Sequence, residues 1–162
     1  MAWVERTTVT APECPCSWTL AAVQWLSVAD LDTPSGTVTY TQLCNDRGGI
    51  ECDLTMTRIG PDRWYLVTGA AFGAHDLGWC RAGTEHLDGV EISDVTSARA
   101  VVNLCGPRAR EVLSAVTEED VDNDAFPYGQ ARALTVGAAP VLALRIGYTG
   151  ELGYELHVPT EY

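Results

Sequence analysis

Three runs of β-branched and aromatic residues, separated by two turn sequences, constrain the fold of this chain more than any other feature. The runs cover residues 37–43, 50–59 and 64–68, and such residues are enriched in β-strands. The segments between them, 45–49 and 60–63, read Asn-Asp-Arg-Gly-Gly and Gly-Pro-Asp-Arg, which are turn compositions. We therefore predict an antiparallel meander of three strands.

The rest of the chain mixes helical and strand patterns without regular alternation. Helices are predicted over residues 20–26 and 70–82, and after Gly106-Pro107, where Val112, Leu113 and Val116 form the inward stripe. Further strands are predicted at residues 101–104, 132–136, 141–148 and 154–158. Strands and helices mixed in this way predict the α+β class.

The charge of the chain argues against a nucleic-acid partner. The 162 residues fit one domain, and their formal net charge is -12 with only ten basic residues. All ten are arginine, which leaves little to neutralise a phosphate backbone. The sequence has no run of 18 apolar residues and no secretory signal pattern, so no membrane partner and a cytoplasmic localisation are expected.

Six cysteines are predicted to stay reduced and to act as small buried hydrophobic residues. The closest pair, Cys14-Pro15-Cys16, lacks the two-residue spacer of redox and zinc motifs. His75, His86 and His157 stand far apart in the sequence, so no metal site is predicted.

A glycine pair followed by carboxylates opens the second predicted strand. Paired glycines allow close approach of the backbone to a ligand, or positive φ angles. Strict alternation puts Glu51, Asp53 and Thr55 on one side of this strand, and Cys52 and Leu54 on the other. A hairpin with two solvated carboxylates on its outer side explains the same pattern.

The closing stretch of the chain places aromatic residues and carboxylates around two glycines. It contains Tyr148, Glu151, Tyr154 and Glu155 within eight residues. Aromatic faces beside a carboxylate suit a flat heterocycle that carries amino and ring N–H donors. The end of a strand with an amphipathic tyrosine pair accounts for these residues equally well.

Six ordered motifs resemble the folate-binding domain of the aminomethyltransferase family, which includes the glycine-cleavage T-protein and the C-terminal halves of sarcosine and dimethylglycine dehydrogenases. The resemblance covers residues 20–162, whereas residues 1–19 match poorly. The motifs are GTVTYTQLCN (36–45), GGIECDLT (48–55), DVTSA (94–98), GPRAREVL (106–113), AFPYG (125–129) and RIGYTGELGYE (145–155).

The resemblance implies a tetrahydrofolate site at which an aminomethyl or methylene group passes from an amine adduct or iminium donor to the folate. Asp53 matches the family's key acidic residue and is the expected catalytic group, which holds and polarises the attacking amine. Tyr40, Tyr148 and Glu155 match residues that bind the folate, with Glu155 pairing with the pterin donors. Many T-proteins carry a second acidic residue at the position of Cys52.

The resemblance also implies family segments after Tyr162, among them an arginine that contacts the folate and a small C-terminal β-domain, so we expect a cut edge there. No Gly-x-Gly-x-x-Gly fingerprint occurs, and an FAD-containing dehydrogenase chain or a self-associating copy is the expected partner. Arg47, Arg58 and Arg145 are candidates for the folate tail by position. Two alternatives stay open: an inactive fragment that serves as an assembly or regulatory subunit, and a folate-binding repair protein of the same superfold.

Overall fold

The computed structural model describes residues 4–10 and 18–162. Within these ranges the chain forms nine strands, three α-helices and one 3₁₀ turn, and it falls into two compact units that meet in sequence at Thr96 and Ser97. In chain order the elements are β1 (Val4–Thr10), α1 (Trp18–Leu26), β2 (Val38–Cys44), β3 (Ile50–Gly60), β4 (Arg63–Gly69), α2 (Gly73–Thr84), β5 (Glu91–Asp94), the 3₁₀ turn (Thr96–Ala98), β6 (Arg99–Cys105), α3 (Ala109–Ser114), β7 (Ala131–Val136), β8 (Ala139–Leu144) and β9 (Gly153–Pro159).

The first unit is built on a five-stranded antiparallel sheet with strand order β2-β3-β4-β1-β5. The predicted three-strand meander is confirmed as β2, β3 and β4. Two strands of this sheet, β1 and β5, were not predicted, and β1 pairs with both β4 and β5. The Cys14-Pro15-Cys16 run lies outside the described residues. Together with the second sheet and the helices, this confirms the α+β class.

One side of the β2–β4 meander, which we call the helix-facing side, forms a core with α1 and α2. Alternation along the strands sends every second side chain to this side. The buried cluster joins Val23 and Leu26 of α1 and Cys80 of α2 to the sheet residues Leu43, Cys52, Leu54, Met56, Trp64 and Leu66. The opposite side carries Tyr40, Gln42, Asp53 and Thr55, which share its register.

A β-bulge interrupts the β2–β3 pairing near the hairpin turn. Leu43 pairs with Cys52 but Cys44 pairs with Ile50, so Glu51 is an extra residue without a register partner. A bulge bends its strand and re-aims the side chain of the extra residue. The prediction that Glu51 points with Asp53 is therefore wrong: its Oε2 lies 3.7 Å from Nε2 of His75 on α2.

The second unit is a four-stranded antiparallel sheet of order β6-β9-β8-β7 with α3 packed into its core. The strands predicted here are all present, although the one expected over residues 141–148 ends at Leu144. Leu113 of α3 is fully buried, whereas Val112 is 51% exposed and Val116 46% exposed. The helix has six residues, so Ala109 and Leu113, four residues apart, form its inward stripe and the other two predicted positions are wrong.

No helix among the described residues has the length and apolar character needed to cross a membrane.

Val112 and Leu113, which are neighbours on α3, give a direct test of which side of this helix faces the core. Leu113→Ala should lower the unfolding free energy of the chain by about 2–5 kcal/mol, because it empties a buried site. Val112→Ala, the control on the exposed face, should change it by less than about 0.5 kcal/mol. Urea denaturation measures both, and equal losses would contradict the assignment of the inward face.

Candidate functional site

Asn45 organises the turn that positions the start of β3. Its Oδ1 accepts hydrogen bonds from the backbone N–H groups of Arg47 and Gly49, each at 3.0 Å, and its Nδ2 donates to Glu51 Oε1 at 2.7 Å. Gly48 has a positive φ of 77°, and a Cβ on Gly49 would lie 2.9 Å from Asn45 Nδ2. Within this unit the glycine pair thus serves the turn itself.

Tyr40 and Asp53 lie together on the side of the hairpin opposite the helices. Gln42 pairs with Asp53 and Tyr40 pairs with Thr55, so Tyr40 and Asp53 are diagonal neighbours across two antiparallel strands. Gln42 Nε2 donates to Asp53 Oδ1 at 3.0 Å. Asp53 is exposed and Tyr40 is 65% exposed, so an aromatic ring and an oriented carboxylate are presented on one surface.

Two hydroxyl groups on the same side of β3 are buried. The Oγ1 atoms of Thr55 and Thr57 have no hydrogen-bond partner among the residues that the structure describes. An unmet buried hydroxyl costs about 1–3 kcal/mol. Because neither atom is accessible from solvent, the two hydroxyls are not part of the exposed surface that carries Asp53.

Asp76 is the centre of a polar cluster on the helix-facing side. It is not among the site residues predicted from the sequence. Its Oδ2 accepts a hydrogen bond from Thr68, and its Oδ1 lies 3.0 Å from His75 Nδ1. The Sγ atom of Cys52 lies within 4.8 Å of a carboxylate oxygen of Asp76. Burial, and next the charge of Asp76, raise the pKa of that thiol well above its usual range. A sequence signal existed, since Asp76 and Cys80 are four residues apart and share the buried side of α2.

Two cavities lie within the first unit. One, of about 180 Å³, is lined by Leu54, Thr68, Asp76 and Cys80, with six further residues. The other, of about 360 Å³, is lined by Trp25 and Trp79, with Leu26, Cys44, Asp46, Ala82 and Gly83. The first is smaller than the roughly 300–1,000 Å³ of a typical small-molecule pocket, and Tyr40 and Asp53 line neither of the two.

Glycines fix the loop between β8 and β9 in the second unit. A Cβ on Gly153 would lie 2.7 Å from the carbonyl oxygen of Ile146, and a Cβ on Gly147 would lie 2.8 Å from that of Glu151. Contacts this short to backbone atoms leave no room for a side chain. The Arg-Ile-Gly-Tyr-Thr-Gly-Glu-Leu-Gly sequence therefore folds back on itself ahead of β9.

This loop and β9 separate the aromatic residues that the sequence brought together. Tyr148 is fully exposed in the loop, whereas Tyr154 is fully buried and its ring centroid lies 5.7 Å from that of Phe126. The tyrosines therefore do not form an amphipathic pair. Tyr148 is free of the core packing that holds Tyr154, which suits it to contact a ligand.

Glu155 lies half-buried on β9, opposite Asn103 of β6 and Leu144 of β8. Its Oε2 lies 3.3 Å from Nε2 of the fully buried His157. That oxygen is itself buried, and His157 is its ion-pair partner. Glu155 is thus held in the sheet by its neighbours, with 17% of its side chain exposed.

Two of the three arginines considered for the folate tail are used within the fold. Arg145 is buried and donates to the carbonyl of Phe126 and, at 2.7 Å, to Asn123 Oδ1. Arg58 donates to the carbonyls of Thr33 at 2.7 Å and Pro61 at 3.0 Å. Arg47 is exposed on the hairpin turn, so it keeps the position expected of a tail-binding group.

Residues 17–162 match the family model described as the GCVT N-terminal domain. The chain belongs to this family. The resemblance to aminomethyltransferases is thereby confirmed, over a stretch that includes all six motifs and the four predicted site residues.

The relatives of this GCVT-type domain are longer chains. It is 33% identical over 154 residues to mitochondrial sarcosine dehydrogenase of Mus musculus, a match that covers 85% of this chain and 16% of the relative. It is 34% identical over 123 residues to the aminomethyltransferase of Thermotoga maritima, which covers 76% of this chain and 33% of the relative. The chain thus spans about a sixth of the first relative and a third of the second. Because the first is named as mitochondrial, cytoplasmic localisation stays a prediction.

A solved structure confirms the fold of the GCVT domain. The glycine cleavage system aminomethyltransferase T from Bartonella henselae aligns with a TM-score of 0.79 at 23% identity, covering 96% of this chain and 40% of that one. At this identity the match speaks for the fold alone.

Thiol labelling should separate the cysteines of the domain by burial. Burial raises the pKa of the Cys80 thiol to about 12, and thiolate is the reactive form. Cys105 is exposed, so iodoacetamide at pH 8 should modify Cys105 while Cys80 stays unmodified until the protein is unfolded. Peptide mass spectrometry measures the two sites, and equal labelling rates in the native protein would contradict the structure.

The loop before β9 gives a second prediction. Gly153→Ala should lower the unfolding free energy by about 1–3 kcal/mol, because its Cβ would overlap a backbone oxygen. Gly78→Ala is the matched control: its Cβ meets nothing within 4 Å, and alanine should favour helix α2 by about 0.5–1 kcal/mol. Urea denaturation of both variants tests this, and a Gly153→Ala protein as stable as the parent would show that the loop is not closed as described.

Proposed function

We propose that this domain binds tetrahydrofolate and serves the transfer of an aminomethyl or methylene unit to it. The observation that carries the proposal is the pairing of Tyr40 with an oriented, exposed Asp53 on one side of the β2–β3 hairpin. The family and the names of its relatives support the reaction class, because the match includes proteins named aminomethyltransferase.

The residues present fit a reduced pterin by the chemistry of their acceptor groups. A pterin carries amino and ring N–H donors, and Glu155 offers a half-buried carboxylate, which accepts hydrogen bonds. Charge-assisted hydrogen bonds of this kind are worth about 1.5–3 kcal/mol.

Each site residue takes a role that follows from its position. Asp53 holds and polarises the amine that attacks, and it accepts the amine's proton, because Gln42 already fixes one of its oxygens and the exposed position leaves the other accessible. Tyr40 supplies an aromatic face beside it. For Tyr148 and Glu155 of the second unit, the family resemblance supports folate-binding roles: Tyr148 as an exposed aromatic contact, and Glu155 as an acceptor for pterin N–H donors.

Bound tetrahydrofolate would supply the ring nitrogens that receive the one-carbon unit. The protein's own contribution is positioning and charge: a carboxylate near developing positive charge stabilises it electrostatically. The side chain of Cys52, at a position where a second carboxylate is common in T-proteins, lies on the helix-facing side of β3. A single acidic residue, Asp53, therefore carries this role on the opposite side.

The donor of the one-carbon unit is proposed to be an amine oxidised by a dehydrogenase. Proteins named sarcosine dehydrogenase and dimethylglycine dehydrogenase are similar to this chain over 85% and 75% of its length. A flavin-bearing dehydrogenase segment or chain is thus the proposed partner.

Calorimetric titration of the purified chain with 5-formyltetrahydrofolate tests the proposed site. We expect saturable binding that Asp53→Asn and Glu155→Gln each weaken by about 10- to 150-fold, the equivalent of 1.5–3 kcal/mol. Tyr40→Ala should also weaken binding, through loss of the aromatic face.

Matched controls separate local chemistry from general charge effects. Asp46→Asn removes an exposed carboxylate from the same hairpin, and Glu151→Gln removes one from the loop before Glu155. Both should bind like the parent chain. Equal weakening in the controls, or no binding by a chain that melts cooperatively, would refute the proposal.

A further inference from the structure

Three potential metal ligands meet on the helix-facing side of the first unit. The Sγ atom of Cys52, a ring nitrogen of His75 and a carboxylate oxygen of Asp76 all lie within 4.8 Å of one another. The spacing of histidines and cysteines in the sequence predicted no metal site. The fold creates the cluster by packing the start of α2 against the bulged end of β3.

We propose that Cys52, His75 and Asp76 bind a divalent zinc ion. Thiolate, imidazole and carboxylate are the three side-chain ligand types of zinc, and a set of three protein ligands leaves a fourth position for solvent. Zinc–ligand bonds of about 2.0–2.3 Å in a tetrahedron put the ligand atoms about 3.3–3.6 Å apart. Side-chain rotations that move the ligand atoms by about 1 Å would therefore bring all three within bonding distance of one ion.

The surroundings of the cluster supply the outer contacts that metal sites need. Nδ1 of His75 lies 3.0 Å from Asp76 Oδ1, on the side of the cluster. Nε2 faces Glu51 Oε2 at 3.7 Å, so Glu51 lies beside the Nε2–H group when Nδ1 binds the metal. Glu51 is in turn held by Asn45, and the second oxygen of Asp76 by Thr68. These partners orient two of the three ligands before any metal arrives.

Access and charge also favour a cation. Cys52 and Asp76 are buried, whereas His75 is half-exposed, so an ion can enter from the solvent on the histidine side. In the part of the chain that the structure describes, the ion-pair contacts of Glu51 and Asp76 are both with His75. The negative charges of two carboxylates thus face a single imidazole, and a divalent ion would neutralise them.

Binding requires the Cys52 thiol to give up its proton. The S–H bond breaks, the sulfur–zinc bond forms, and the proton passes to solvent, with no change in oxidation state. The ion then links β3 to α2 on the side of β3 opposite Asp53. The site is therefore separate from the proposed folate surface, and its test does not depend on folate binding.

Titration of the reduced, untagged chain with Co²⁺ tests the proposal, because a cobalt–thiolate bond gives a charge-transfer band in the near ultraviolet. We expect this band to appear with one equivalent of Co²⁺ and to disappear when Zn²⁺ displaces it. Zn²⁺ should also raise the melting temperature of the chain.

Variants assign the ligands. Cys52→Ala should abolish the band, and His75→Ala and Asp76→Asn should each weaken metal binding at least tenfold. Cys105→Ala and His86→Ala remove an exposed thiol and an exposed imidazole outside the cluster, and both should leave the titration unchanged. The double variant Cys14→Ala/Cys16→Ala, at the closely spaced pair, should also leave it unchanged.

The outcome is decisive even if a buried substitution prevents folding. His75 is half-exposed, so His75→Ala should fold, as its melting curve without metal will show. A parent chain that gives no band, a band that survives Cys52→Ala or is lost in the Cys14/Cys16 variant, or unchanged affinity in His75→Ala would each overturn the proposal.

Discussion

One extra residue in the β2–β3 hairpin decides which side chains of the first unit meet. The bulge at Glu51 shifts the register between Cys44 and Leu43, so Glu51 leaves the side of Asp53 and reaches His75. Asn45 holds the bulge in place from the turn, through its bonds to Gly49 and Glu51. Without the bulge, strict alternation would put Glu51 and Asp53 side by side on the surface that carries Tyr40, and Nε2 of His75 would have no carboxylate from β3 beside it.

The bulge gives the two sides of β3 different chemistry. The side opposite the helices presents Asp53 with Tyr40, which suits a polar heterocycle. The helix-facing side collects Cys52, His75 and Asp76, which suits a metal ion. In the second unit, the glycine loop sets β9 so that Glu155 stays half-buried while Tyr154 enters the core.

Periodicity and turn composition were sufficient to predict the meander, α2, the strand-to-helix step before α3 and the strands of the second sheet, because these depend on local residue preferences. They were not sufficient for β1, whose place between β4 and β5 is set by long-range pairing. The inward face of α3 was wrong at Val112 and Val116, because a six-residue helix buries one narrow stripe.

For the candidate site too, the sequence predicted some features and missed others. Resemblance identified Tyr40, Asp53, Tyr148 and Glu155 as ligand-binding residues, and their roles stay predictions. The four-residue spacing of Asp76 and Cys80 indicates a shared side of α2. Sequence spacing could not show that Cys52 of β3 lies beside them, because Cys52 and Asp76 are more than twenty positions apart. It also could not show that Arg58 and Arg145 donate their hydrogen bonds to the fold.

The central claim is that the side of β3 opposite the helices is a pterin-binding surface. The most direct measurement is a crystal structure of the chain soaked with 5-formyltetrahydrofolate. The account predicts the pterin ring against Tyr40, with Asp53 within hydrogen-bond distance of one of its nitrogens. A pterin bound between the tryptophans Trp25 and Trp79, or elsewhere on the helix-facing side, would contradict it.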